Sequence, residues 1–197
     1  MHFVPLRLKT TESRCPITVL AKQSIPATIQ YLISCARTYK RIAYHSKSMK
    51  ALIICWSEHH GNTKKIADAM ASVLHSEVIQ PSDVDIKTLD DYDFIGLGSG
   101  IYYWNHHKSL LDLIEKCPSI HKKVFIFSTR GVSRQGRTHD ALRTKLEEKG
   151  FEVVGEFSCR GFDTYGMLKY LGGIAKGRPN DKDLHDAQEF VKTLESN

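Results

Sequence analysis

One segment, residues 51–63, constrains the fold of this chain more than any other. It reads A-L-I-I-C-W-S-E-H-H-G-N-T, so an apolar run stops at Ser57 and a short polar turn follows. After Thr63, apolar residues recur at helical spacing, at Ile66, Ala67, Met70, Val73 and Leu74. The segment therefore predicts a strand, a polar loop and a helix N-terminus. The unpaired backbone N–H groups and the positive dipole end of such a terminus favour a bound phosphate group.

The composition of the loop limits which phosphate-binding motif it can be. The G-x-G-x-x-G pattern of dinucleotide loops and the G-x-x-x-x-G-K-[ST] pattern of nucleoside-triphosphate loops are both missing. The loop has a single glycine, Gly61, with hydroxyl and amide side chains at Ser57, Asn62 and Thr63. We therefore expect a phosphate here to be held mainly by neutral hydrogen bonds.

Strand and helix patterns alternate from Met49 to the end of the chain. The predicted strands are 50–56, 77–80, 93–98, 123–128 and 151–159, and the predicted helices are 62–75, 106–116, 138–149 and 181–194. Such β-α-β alternation implies a parallel sheet with helices on both faces, and right-handed crossovers make the sheet doubly wound. The sequence therefore predicts an α/β domain at 49–197 with a doubly wound five-stranded parallel sheet.

The first 48 residues differ from the rest in charge. They hold eight basic side chains and one acidic side chain, whereas residues 49–197 hold 20 basic and 21 acidic ones. The net charge of +6 therefore belongs to this extension, and we predict no nucleic-acid partner. One amphipathic helical pattern, at 28–44, predicts an extension that is poorly ordered or partly helical. An organelle transit peptide and an interaction arm are alternatives to an extension without function.

The motif I-C-W-S…G-N-T resembles the phosphate loop of flavodoxins, in which an aromatic residue precedes [ST]-x-T-G-N-T. One extra residue lies between Ser57 and Gly61, and His59-His60 stands where Thr is usual. The resemblance covers roughly 49–197, including stretches 159–166 and 172–179, which look like small archaeal and bacterial flavodoxin-domain proteins. It implies a flavodoxin-like fold with strand order 2-1-3-4-5 in three α/β/α layers, and FMN as the cofactor.

The resemblance also implies which residues hold FMN, since strands one, three and four end at one edge of such a sheet. The phosphate is assigned to Ser57, His59, His60, Gly61, Asn62 and Thr63. The ribityl chain and ring are assigned to Ser99, Gly100, Ile101, Tyr102, Tyr103 and Trp104. The edge of the ring is assigned to Ser128, Thr129, Arg130 and Gly131.

Two features at the end of the third predicted strand and in the loop that follows it favour this assignment. The small residues in G-L-G-S-G (96–100) allow a backbone to approach a ligand closely, and the three aromatic residues that follow in a predicted loop suit a flat apolar ring. In flavodoxins the loop after the fourth strand lines the ring with backbone amides, which implies that Gly131 lies near the flavin N5.

Histidines and arginines fall on the same predicted edge. The pairs His59-His60 and His106-His107 have no cysteine or carboxylate at ligand spacing, so no metal site is predicted and His106-His107 is expected to start a helix. Four arginines, Arg130, Arg134, Arg137 and Arg160, predict a basic rim. A basic rim suits an acidic, ferredoxin-like redox partner or the phosphates of NAD(P)H.

The cysteines predict a reducing compartment. The five of them, Cys15, Cys35, Cys55, Cys117 and Cys159, form no C-x-x-C pair. An odd count without a secretory signal favours free thiols and a cytoplasmic protein. No apolar stretch approaches the ~20 residues of a membrane span.

Two functions fit these residues. The first is an electron carrier in which FMN does the chemistry between two redox partners. The second is an enzyme that uses the same FMN: an NAD(P)H-dependent reductase, or a quinone reductase or oxidase. No general acid or base can be assigned from the sequence, which favours the carrier. A flavin-free interaction module is a third alternative, and it predicts a colourless protein.

Overall fold

The computed structural model describes residues 49–131, 137–170 and 172–195. The chain divides into two units, Met1–Lys47 and Ser48–Asn197, and every described residue belongs to the second unit. The predicted extension at 1–48 and Arg134 lie outside the described residues.

Strands and helices alternate along the described chain. The strands are β1 (Ala51–Trp56), β2 (Glu77–Ile79), β3 (Phe94–Tyr102), β4 (Asn105–His106), β5 (Lys123–Arg130) and β6 (Glu152–Arg160). The α-helices are α1 (Asn62–Leu74), α2 (Lys108–Lys116), α3 (Asp140–Glu148) and α4 (Asp181–Glu195). Short 3₁₀ turns occupy Pro81–Asp83, Ile86–Asp91 and Gly166–Lys169.

The sheet has the predicted topology. Five of its strands follow the order β2-β1-β3-β5-β6, and each neighbouring pair is parallel. This is the order 2-1-3-4-5 when only the five parallel strands are counted, so the predicted doubly wound sheet is confirmed. The two-residue strand β4 is an addition, and it pairs antiparallel with the end of β3.

Two apolar clusters lie on opposite faces of the sheet, which makes the domain three-layered. One cluster joins Ile53 and Phe127 of the strands to α1 and α4 through Met70 and Val191. The other joins strand residues such as Ile126 to α2 and α3. Because both faces are covered, the central strands are apolar at successive positions instead of alternating.

The glycines of β3 serve this core. A Cβ at Gly98 would lie 2.1 Å from Phe127 Cζ, and a Cβ at Gly96 would lie 2.3 Å from Phe125 Cζ. These two glycines therefore make room for phenylalanine rings of the neighbouring strand. Their expected role in close approach to a ligand is wrong for Gly96 and Gly98, because core side chains fill that space.

The end of β3 differs from the prediction. The strand continues to Tyr102 and turns back into β4, so the aromatic residues lie on a hairpin. Tyr103 and Trp104 form its two-residue turn with positive φ values of 48° and 72°. His106 lies in β4, and α2 begins at Lys108 with His107 as its N-cap, so the expectation that His106-His107 starts the helix is wrong for His106 and confirmed for His107. Backbone pairing with Ile101 holds His106 in the strand.

Among the described residues, no helix is both long and apolar enough to cross a bilayer.

Candidate functional site

A cavity of about 290 Å³ opens where β1, β3 and β5 end. Most of the residues predicted to hold a ligand line it. They are Ser57, His59, Asn62, Thr63, Gly100, Ile101, Tyr102, Tyr103, Trp104, Thr129, Arg130 and Gly131. Five residues that the sequence did not indicate also line it: Glu58, Gly161, Phe162, Asp163 and Tyr165. His60, Gly61, Ser99 and Ser128 do not.

The loop between β1 and α1 presents a helix N-terminus to the cavity. His60 and Gly61 both adopt left-handed backbone conformations, with φ values of 56° and 65°. Gly61 is the N-cap of α1, and no side chain caps the helix there. Within the described part of the chain, no acceptor is found for the backbone N–H groups of Asn62 and Thr63. Donors of this kind suit an anion at the helix end.

Asn62 connects this loop to the segment that follows β6. Its side-chain nitrogen donates to the carbonyl of Phe162 at 2.7 Å, and a Cβ on Gly161 would come within 2.9 Å of the same nitrogen. The side-chain oxygen of Asn62 is buried and has no hydrogen-bond partner in the described part of the chain. An unpaired acceptor repels a phosphate oxygen but accepts from a hydroxyl group. The side chain therefore suits a different role from the predicted phosphate contact.

His60 points away from the cavity. Its Nε2 lies 2.8 Å from Thr164 Oγ1, and its ring packs on Phe162 with 4.6 Å between the ring centroids. His60, in the lengthened part of this loop, therefore contacts the segment after β6. His59 does line the cavity, and its ring centroid lies 6.4 Å from the ring centroids of both Tyr102 and Tyr165.

Aromatic residues form one wall of the cavity. Tyr102 is partly buried, and its pKa is raised by burial and then by the carboxylates of Glu58 and Asp163. Tyr103 lies at the tip of the hairpin, and its hydroxyl hydrogen-bonds that of Tyr165 at 2.8 Å. The wall thus combines the β3–β4 hairpin with the segment after β6.

The end of β5 forms the opposite side. The hydroxyls of Thr129 and Thr63 hydrogen-bond at 2.7 Å and join β5 to α1. Arg130 Nε is buried, and no described residue forms a hydrogen bond with it. A Cβ on Gly131 would lie 2.1 Å from an oxygen of Asp163, so only glycine fits beside that carboxylate. This side therefore offers an unused donor to a ligand.

Ser99 and Ser128 are fully buried beneath the cavity. They are register partners on β3 and β5, and Ser158 of β6 continues the row. Ser99 bonds His106 Nδ1 at 2.9 Å and accepts from the backbone N–H of His107. The two predicted ligand contacts are therefore structural side chains, because these partners take up their hydroxyls.

Ser128 belongs to a buried chain of hydrogen bonds. His139 Nε2 lies 2.8 Å from Ser128 Oγ, and His139 Nδ1 lies 3.1 Å from a carboxylate oxygen of Glu156, which also pairs with Arg143. This order matches a serine–histidine–acid triad, but Ser128 is inaccessible and also bonds Ser158. These hydrogen bonds connect β5, α3 and β6 at the sheet edge, and they lack the exposed nucleophile that a catalytic triad needs.

Both histidines of this region are neutral near pH 7. Burial and then the neighbouring His139 lower the pKa of His106 to about 3. Burial lowers the pKa of His139, and Glu156 opposes that shift. The ring centroids of the two histidines are 4.9 Å apart, so protonating both would place like charges together. The floor of the cavity is therefore uncharged.

His107, the second residue of the His106-His107 pair, also has a structural role. Its ring stacks on Trp56 with centroids 4.5 Å apart, and its Nδ1 accepts from the backbone N–H of Ser109 to cap α2. The described residues contain no group of three or more His, Cys, Asp or Glu side chains that could hold a metal ion.

The residues that sequence reasoning missed come almost entirely from one segment. Gly161, Phe162, Asp163 and Tyr165 follow β6 and bridge back through Asp163 to Ile174. Stretch 159–166 was recognised as similar to flavodoxin-domain proteins, but nothing in its spacing indicates a cavity wall. Glu58 lies inside the phosphate-loop motif, and its neighbours were the only available signal.

Comparison with known proteins agrees with this fold. The chain is 45% identical over 150 residues to "Uncharacterized protein MJ0298" of Methanocaldococcus jannaschii, which covers 76% of this chain and all of that protein. A flavodoxin from the domain Archaea has a TM-score of 0.54 at 21% identity, covering 72% of this chain and 92% of that one. Flavodoxin 1 from Bacillus cereus has a TM-score of 0.57 at 22% identity, covering 75% and 99%.

The family model described as "Flavodoxin domain" matches residues 53–170. That range includes most of β1, the loop before α1, the hairpin, β5 and the segment 161–165 after β6, which together form the cavity. The match spans more than half of the chain, so this protein belongs to the flavodoxin domain family.

Proposed function

We propose that this protein binds FMN in the cavity and carries electrons between redox partners. Membership of the flavodoxin domain family implies a flavin cofactor. The observation that carries the proposal is the uncapped N-terminus of α1, which opens on a cavity whose wall is aromatic. A phosphorylated ligand with a flat ring matches both features.

The polar end of the cavity fits the phosphate and ribityl groups. Backbone N–H groups at Asn62 and Thr63, with the hydroxyl of Ser57, supply neutral donors for a phosphate. The buried, unpartnered oxygen of Asn62 is an acceptor, which suits a ribityl hydroxyl. His59 lines the same end. His60 and Gly61 would act by shaping the loop, because neither residue lines the cavity and both have left-handed backbone conformations.

The aromatic end fits an isoalloxazine ring, which supplies the electron-transfer chemistry when it is bound. Tyr102, Tyr103 and Trp104 would cover the ring, and Thr129 and Gly131 would line its edge. Arg130 has a buried donor without a partner, which suits a ring carbonyl. Ser99 and Ser128 would support this edge from below through their histidine partners.

A second cavity favours an enzyme as the alternative function. It measures about 490 Å³ and shares Glu58, His59, Tyr102 and Tyr165 with the first cavity. An acceptor or donor bound there would lie next to the flavin site. This arrangement suits an NAD(P)H-dependent reductase, or a quinone reductase or oxidase.

The described cysteines support a cytoplasmic protein. Cys55, Cys117 and Cys159 are free and buried, and burial raises the pKa of Cys55 and Cys159 to about 12. Thiols of this kind stay protonated and unreactive, which agrees with a reducing compartment.

Flavin titration tests the cofactor. The full-length apoprotein is mixed with FMN or with riboflavin, and quenching of flavin fluorescence gives each Kd. We expect FMN to bind at least about tenfold more tightly than riboflavin, because riboflavin lacks the phosphate and so loses charge-assisted bonds that contribute roughly 1.5–3 kcal/mol each. Equal affinities, or no binding of FMN, would overturn the proposal.

Reduction kinetics separate the carrier from the enzyme. The FMN-loaded protein is mixed anaerobically with NADH or NADPH, and the flavin absorbance near its visible maximum is followed. A carrier stays oxidised with both nucleotides and is reduced only through a partner. Rapid bleaching by either nucleotide would establish the reductase.

A further inference from the structure

Large apolar side chains are exposed in one region of the described surface. The exposed fractions are 80% for Tyr103, 66% for Trp104, 55% for Tyr165, 79% for Met167 and 85% for Tyr170. We call these five residues the aromatic rim. Clustered apolar exposure of this kind marks interaction sites, whereas single exposed residues need no explanation.

The aromatic rim is one connected surface beside the cavity. Tyr103 and Trp104 are adjacent on the hairpin, and the hydroxyl of Tyr103 bonds that of Tyr165. Met167 lies in the 3₁₀ turn after Tyr165, and Tyr170 caps that turn. Tyr103, Trp104 and Tyr165 line the cavity, whereas Met167 and Tyr170 do not. A ligand inside the cavity therefore leaves the outer part of the rim uncovered.

Cations without carboxylate partners accompany the rim. Arg160, Lys169 and Lys176 are exposed, and none of them forms an ion pair with a described residue. Lys64 and Lys182, by comparison, each pair with an aspartate one turn along their own helix, whereas Lys65 and Lys87 are exposed and form no ion pair with a described residue. Arg160 at the end of β6, and Lys169 and Lys176 after it, therefore carry positive charge that no described carboxylate pairs with.

We propose that the aromatic rim and these three cations form the docking surface for an acidic electron-transfer protein, one with carboxylates around its redox centre. The proposal rests on the proposed function and names its partner. Exposed aromatic residues provide the interface core that such complexes use, and the cations steer an acidic partner to it. A partner seated on the rim contacts the same tyrosine and tryptophan side chains that line the cavity.

The first test measures docking without any flavin step. Binding of an oxidised, acidic [2Fe–2S] ferredoxin to the full-length protein is measured at a series of ionic strengths. The variant Lys169→Glu/Lys176→Glu reverses two rim cations, and Lys182→Glu/Lys192→Glu makes the same charge change on α4. We expect the rim variant to raise the Kd at least about tenfold and to reduce its salt dependence, while the α4 variant stays within about twofold.

The second test measures electron transfer from the reduced ferredoxin to the FMN-loaded protein. The rim variant should lower the second-order rate constant at least about tenfold at low ionic strength, since steering contributes factors of roughly 10–10³. Met167→Ser/Tyr170→Ser should weaken docking without changing the Kd for FMN, because neither residue lines the cavity.

Equal ferredoxin affinity in the rim and α4 variants would overturn the proposal. So would a rim variant that loses binding to phosphatidylglycerol vesicles but keeps the affinity of the α4 variant for the ferredoxin, since the rim would then face a membrane. Failure of the protein to bind FMN would overturn the proposed function instead, and the docking measurement would still decide the role of the rim.

Discussion

Asn62 donates a 2.7 Å hydrogen bond to the carbonyl of Phe162, which lies 100 residues further along the chain. This bond joins the N-terminus of α1 to the segment after β6. His60 adds a second connection through Thr164. The loop that we propose to hold the phosphate is therefore positioned by the segment that also forms the aromatic rim, so changes in either should affect both.

We expect Asn62→Asp to raise the Kd for FMN at least about tenfold at low ionic strength. A carboxylate cannot donate to the Phe162 carbonyl, and it places a negative charge at the helix end where the phosphate would bind; a lost bond and an unfavourable charge each amount to about 1 kcal/mol or more. Flavin fluorescence titration measures the change. Asn105→Asp, which makes the same substitution outside this cavity, is the control. An unchanged affinity in Asn62→Asp contradicts the assignment.

The Thr63–Thr129 hydrogen bond should be detectable in a double-mutant cycle. Thr129→Val removes one hydroxyl and leaves the buried hydroxyl of Thr63 unpaired, which costs about 1–3 kcal/mol. Thr63→Val does the converse. The double variant removes both groups and should be less destabilised than the sum of the single variants. Urea unfolding of the apoprotein measures the three free energies, and strict additivity would show that the two hydroxyls do not interact.

Local patterns predicted the parts of the fold that depend on local physics. The apolar run of β1 and the helical spacing of α1 fix both elements and place the loop between them. The strand order followed from the alternation of elements. The same reasoning missed the β3–β4 hairpin, since its turn places Tyr103 and Trp104 in left-handed conformations that aromatic residues rarely adopt. Pairing across the hairpin and the bond to Tyr165 maintain them.

The candidate site was predictable only where it lies on strand ends or on the helix N-terminus that follows β1. Thr63 and Thr129 follow from topology, whereas Phe162 and Tyr165 enter the cavity through contacts between distant segments. Burial decided the role of serines: Ser99 and Ser128 occupy the predicted edge, but their hydroxyls face histidines whose positions the sequence did not indicate.

His106 should make the stability of the protein depend on pH. Its pKa is about 3 in the folded protein, against about 6.5 in an unfolded chain, because burial disfavours the charged ring. The unfolded chain therefore binds the extra proton first. The contribution of neutral His106 to the free energy of unfolding is therefore fully present above pH 6.5. It is lost as the pH falls toward 3, by up to about 1.4 kcal/mol per pH unit.

His106→Asn should flatten the dependence of the free energy of unfolding on pH between 6 and 4. Urea unfolding at each pH measures it, and carboxylates contribute equally in both proteins. His185→Asn removes an exposed histidine and should leave the slope unchanged. If the two variants have the same slope as the original protein, His106 is not held neutral by the fold.

Gly98→Ala should destabilise the sheet at its centre. The added Cβ would lie 2.1 Å from Phe127 Cζ, and Phe127 is fully buried, in a core that is close-packed as protein interiors are. Overpacking of this kind costs about 1–3 kcal/mol or more. Gly155→Ala on β6 is the matched control, because its Cβ would meet the ends of Leu194 and Phe190 at 3.0–3.1 Å, and these partly buried side chains at the sheet margin can move. Urea unfolding should therefore show a larger loss for Gly98→Ala than for Gly155→Ala. Equal losses would mean that the ring of Phe127 does not make a specific requirement for glycine at this position.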